Sequence, residues 1–71
     1  MKGFRFLVDS KTTRICEAYT ARKGIPSDEA LRIFLGSATY RALDVPETGL
    51  YLEVFEFVYD MFLEEMGEAL T

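Results

Sequence analysis

A mainly α-helical fold of three or four short helices is what this 71-residue sequence predicts. Three observations carry the prediction. Apolar residues recur at helical spacing in successive stretches, and proline or glycine punctuates the boundaries between them. The last stretch sets a stripe of acids against a broad apolar band, as one long helix would.

The first helix is read from Thr12, Ile15, Cys16 and Tyr19, closed by Arg22-Lys23 and Gly24, which give cations in the last turn and a glycine C-cap. Its start has two readings. Phe4, Phe6 and Val8 alternate as in a strand, with Asp9 or Ser10 then capping the helix; Phe4, Val8, Thr12 and Ile15 instead fit one unbroken helix. A second helix begins at Ile25-Pro26-Ser27-Asp28-Glu29, where proline ends the preceding segment, Ser27 can cap, and two acids sit at the positive end of the dipole. Ala30, Leu31, Phe34 and Leu35 form its apolar face, and Gly36-Ser37 breaks it. Ala38, Tyr40, Ala42 and Leu43 make a short third helix that Asp44-Val45-Pro46 ends. Glu47-Thr48-Gly49 is a turn. Leu50-Tyr51-Leu52 reads as extended, and residues 50–52 and 4–8 can pair as a minimal two-stranded ribbon, stable only if packed on the helices. A final helix is expected over residues 53–68. The predicted core is Val8, Ile15, Tyr19, Leu31, Phe34, Leu35, Leu43, Val54, Val58, Met61 and Phe62.

Charge is segregated along the chain. All eight bases lie within the first 41 residues beside four acids, and the remainder carries eight acids and no base, so the two parts hold +4 and −8. On the last helix Glu53, Glu56, Asp60, Glu64 and Glu68 share one stripe. Their i,i+4 spacing costs a few tenths of a kcal/mol per pair, and Lys11, Arg14 and Arg22 form a basic stripe on the first helix that could relieve it within or between chains. The apolar band of the last helix is wider than one face. A single short chain is expected to cover only part of it, which predicts a homodimer with Tyr51, Phe55, Tyr59, Leu63 and Met66 at the partner contact.

The residue inventory excludes several chemistries. One cysteine, Cys16, allows no intrachain disulfide, and the absence of histidine excludes histidine-based nucleophilic catalysis and leaves too few ligands for zinc. Cys16 lies between Ile15 and Tyr19 on the apolar side of its helix, as a buried structural thiol does. The acids lie along a helix face and form no calcium loop, and Gly3, Gly24, Gly36, Gly49 and Gly67 are dispersed, not gathered into a phosphate cradle. Catalytic residues, cofactor and metal are therefore expected to be none. With an apolar content of 49% the chain is globular, and residues 1–71 read as one unit. Its apolar stretches are interrupted by charge, no export signal is present, and the thiol is unpaired, which points to the cytoplasm.

Residues 27–43 have the outline of a helix-turn-helix, with Arg32 and Arg41 placed to meet phosphates. The short second helix and the net charge of −4 disfavour nucleic acid.

The runs Ile15-Cys16-Glu17-Ala18-Tyr19, Lys23-Gly24-Ile25-Pro26-Ser27, Ala30-Leu31-Arg32-Ile33-Phe34 and Tyr40-Arg41-Ala42-Leu43 resemble a family of small bacterial helical domains of unknown function. Its genes often neighbour those of ADP-ribosyltransferase-like, toxin-type proteins. The resemblance covers residues 6–66 and implies a small bacterial partner protein, an antitoxin or immunity factor; it carries over no catalytic residue. The expected function is thus a non-enzymatic protein-interaction module. The alternative is a small DNA-associated regulator using residues 27–43.

Overall fold

The computed structural model describes residues 2–68. Helix α1 spans Lys2–Lys23, which decides between the two readings of its start. Phe4, Val8, Ile15 and Tyr19 fall on one helical stripe, of which Val8, Ile15 and Tyr19 are buried, while Phe6 points away and is 70% exposed. A strand would have put Phe4, Phe6 and Val8 on one side. Local bonds hold the helical form: Arg5 Nε lies 3.5 Å from Asp9 Oδ1 one turn on, and the Thr12 hydroxyl donates to the Val8 carbonyl at 2.8 Å. Gly24 closes α1, its amide donating to the Thr20 carbonyl at 2.9 Å.

Helix α2 (Ser27–Leu35) and helix α3 (Ala38–Leu43) follow the expected boundaries. Pro26, not the Ser27 side chain, occupies the N-cap of α2, because Ser27 is already the first helical residue. Ser37 breaks the pair by adopting extended backbone, and its hydroxyl oxygen accepts from the Tyr40 amide at 3.1 Å, capping α3.

Two single-turn 3-10 helices, Pro46–Thr48 and Leu50–Leu52, lead to helix α4 (Phe55–Glu65). The expected pairing of residues 4–8 with 50–52 does not form, and no strand occurs among the described residues. The reason is local. Gly49 takes a left-handed φ of +70°, after which the amides of Leu52 and Glu53 donate to the carbonyls of Gly49 and Leu50, so this backbone is spent on its own turn. The two segments still meet through side chains: Phe4 packs edge-on to Tyr51 at 4.8 Å, and Lys11 Nζ donates to the Tyr51 carbonyl at 2.8 Å.

Helix α4 is shorter than the expected 53–68. It starts late because Val54 is extended. It stops early because Gly67, at φ +75°, lets the Glu68 amide reach back to the Leu63 carbonyl at 2.8 Å, the Schellman arrangement.

The helices meet around a chain of edge-to-face rings, one from each. Phe62 of α4 contacts Tyr19 of α1 at 4.9 Å and Phe34 of α2 at 5.0 Å, and Phe34 contacts Tyr40 of α3 at 5.6 Å. Val8, Ile15, Leu43 and Val58 fill the fully buried remainder. Three expected core residues are exposed instead: Leu31 at 42%, Leu35 at 43% and Val54 at 64%. In α2 the core direction runs through Ala30 and Phe34, which leaves Leu31 and Leu35 one position outside it; Val54 precedes its helix. Leu50, Leu63, Ala30 and Cys16 are buried in their stead.

Candidate functional site

The acids of the C-terminal third divide into two sets. The first set is bound. Glu68, brought back by the Gly67 turn, holds Lys23 Nζ at 2.7 Å and Arg22 Nε at 3.5 Å. The ammonium of Lys23 draws the Glu68 carboxyl below its usual range, and Glu68 in turn raises Lys23. Glu65 reaches across to α3, where its two carboxylate oxygens accept from the Ala38 amide at 2.7 Å, the Thr39 amide at 2.9 Å and the Thr39 hydroxyl at 2.7 Å. Partial burial opposes its ionisation, but those donors, together with the charge of Arg41, bring the Glu65 carboxyl below the usual range. It is a second, long-range cap on a helix of six residues.

The second set is unbound. Glu53, Glu56, Asp60 and Glu64 are exposed and make no ion pair within the described residues. The bases expected to meet them, Lys11, Arg14 and Arg22, are engaged elsewhere, as are Arg5 and Lys23. Lys11 holds the Tyr51 carbonyl, Arg14 lies 4.3 Å over the Phe55 ring, Arg5 takes Asp44 at 2.7 Å, and Arg22 and Lys23 take Glu68. Among these unbound acids stands Phe57, 49% exposed. At 100° per residue it neighbours Asp60 and Glu64 on one side and Met61 on the other. Val54 and Leu52, the latter 68% exposed, extend the apolar surface toward the helix start. Beyond Met61 an open cleft separates α4 from α3, lined by Ala38, Thr39, Met61, Glu64 and Glu65.

The five residues expected at a partner contact lie away from Phe57, three of them (Phe55, Tyr59 and Leu63) on α4, with Tyr51 in the turn before it and Met66 just after it. Leu63 is buried at 2%, and Tyr51, Phe55, Tyr59 and Met66 are half-buried against the core cluster. Phe55 stacks on Tyr59 with centroids 5.3 Å apart beneath Arg14, so this side of α4 is the seam with α1. Much of the wide apolar band packs on the chain's own core: Val58, Phe62 and Leu63 are buried and Phe55, Tyr59, Met61 and Met66 half-buried, while Val54 stays exposed. The signal for Phe57 was present in the sequence: it is the one aromatic that falls inside the acidic stripe.

Cys16 is buried, and burial raises its thiol pKa, away from nucleophilic character. Among the described residues no group of three or more His, Cys, Asp or Glu is placed to hold a metal ion, and no helix is long and apolar enough to cross a membrane. No family model, curated protein or solved structure matches this chain.

Proposed function

We propose that this protein is a non-enzymatic protein-interaction module. One observation supports the reading above others: the core is closed by all four helices, yet Leu52, Val54 and Phe57, three large apolar side chains within six positions, remain exposed near acids that make no ion pair among the described residues. Such a surface gains by being covered, and the chain has already used most of its own bases. The narrower form of the proposal is an antitoxin or immunity partner of a toxin-type protein, which rests on the sequence resemblance alone.

The rival reading, a DNA-associated regulator, requires the start of α3 to face bases or phosphates. In this fold the Glu65 carboxylate occupies the amides of that helix end, placing an anion where phosphate would come. That favours the protein partner. Co-expression with the product of the adjacent gene, followed by gel filtration, tests the proposal, and a stoichiometric complex is the expected outcome. Duplex-DNA binding that weakens steeply with salt and is lost in Arg32→Ala/Arg41→Ala would overturn it.

A further inference from the structure

Phe57, Met61, Asp60 and Glu64 lie side by side on one face of α4, and we infer that this face receives a cationic amphipathic helix of a second protein. The inference rests on the interaction-module reading and adds the surface and the chemistry of the partner.

Shape comes first. Phe57 and Met61 are one turn apart on α4, so they form a short ridge leading from Val54 to the open cleft between α3 and α4. A ridge that runs along a helix and ends in an interhelical cleft is the surface on which another helix lays an apolar stripe, one side chain entering the cleft and the next ones passing over Phe57 and Val54.

Charge then selects the partner. Asp60 and Glu64 run along one side of that ridge, with Glu56 further round the helix. Arg41, on α3, is near enough for its charge to act on Glu65, and on α1 Arg5 is held by Asp44, Lys11 by the Tyr51 carbonyl, Arg14 over the Phe55 ring, and Arg22 and Lys23 by Glu68. A second copy docking the same face by two-fold symmetry would set these carboxylates against their own copies, which opposes closure. Anionic membranes and nucleic acid are repelled for the same reason. Lysine or arginine on the flanks of an apolar helix satisfies both halves of the surface, since guanidinium and ammonium groups pair with the acids while their aliphatic stems and neighbouring leucines cover Phe57.

The test uses a fluorescent synthetic helix of about 18 residues, long enough to be helical when bound, patterned with Leu on one face and Lys on the other. Its twin carries Glu for Lys. Anisotropy titrations on the full chain are expected to show binding of the Leu/Lys helix that weakens as salt rises, and none of the Leu/Glu helix. Phe57→Ser is expected to weaken binding by about tenfold or more, and Asp60→Asn/Glu64→Gln to weaken it and flatten the salt dependence. Leu31→Ser, on the exposed side of α2, is expected to leave it unchanged, with circular dichroism confirming that each variant is folded. Equal binding by wild type and Phe57→Ser, or an equal loss in Leu31→Ser, overturns the inference. So does a wild-type dimer in sedimentation that Phe57→Ser dissolves, because the occupant is then a second copy. A complex with the adjacent gene product that survives in Phe57→Ser removes this surface while the module reading stands; absence of any protein complex removes both.

Discussion

Helix α4 holds two kinds of carboxylate within four turns. At its C-terminal end Glu65 is hydrogen-bonded to α3, and just past it, beyond the Gly67 turn, Glu68 is ion-paired to α1. Along its middle Glu56, Asp60 and Glu64 face solvent and pair with no base among the described residues. The residues are chemically alike, so position relative to donors decides whether an acid builds the fold or is left available to a partner. The same contrast separates two phenylalanines five residues apart: Phe62 is fully buried at the junction of the helices, and Phe57 is half exposed among the acids.

The largest expected effect lies on the buried side. Phe62→Ala removes the ring that Tyr19 and Phe34 both contact and is expected to cost about 3 to 5 kcal/mol, enough to abolish cooperative unfolding in a domain this small. A thermal transition close to the wild-type midpoint would show that the junction is not the core.

Glu65→Gln comes next. It weakens the distant cap on α3 and is expected to cost about 1 kcal/mol at neutral pH, read by urea denaturation. The pH dependence has a defined sign. Because the folded-state carboxyls of Glu65 and Glu68 are lowered, their stabilisation is fully present above the ordinary carboxylate range and is lost as pH falls through the lowered values. The Glu65→Gln variant is therefore expected to lose less stability between neutral and acid pH than the wild type. Parallel acid profiles would show that the cap contributes nothing.

On the exposed side the effects shrink and change sign. Phe57→Ser, at a half-exposed ring, is expected to cost about 1 kcal/mol, well short of Phe62→Ala. Neutralising Asp60 and Glu64 together is expected to stabilise the chain by a few tenths of a kcal/mol at low salt, since it removes like-charge neighbours one turn apart. Destabilisation by that pair of substitutions would reveal an internal partner for these acids and would erase the distinction between the two sets.

The boundaries of α2 and α3 were legible in the sequence because they are set by nearby residues: Pro26 at one end, Gly36-Ser37 between, Asp44 to Pro46 at the other. The start of α1 was open because Phe4, Phe6 and Val8 alternate as in a strand while Phe4, Val8, Thr12 and Ile15 fit a helix, and the contact that Phe4 makes in the helical form is with Tyr51, more than forty positions away. Residues 50–52 misled because β-prone side chains say little where a left-handed glycine commits the backbone first. Of the candidate surface, the acidic stripe was visible and its emptiness was not. That emptiness depends on Arg14 choosing the Phe55 ring and Lys11 the Tyr51 carbonyl, two long-range contacts that no local pattern encodes. The role of Glu65 was hidden for the same reason.

The reach of Glu65 to Ala38 and Thr39 spans 26 to 27 positions, which gives the fold an order in time. A growing chain emerges at about 5 to 20 residues per second, so the segment that supplies the distant cap follows α3 by a second or more, whereas a helix can form in about a microsecond. The Ser37 cap is at hand from the outset; Glu65 is not. During synthesis α3 therefore waits, half secured, until α4 has been made and has come to rest beside it.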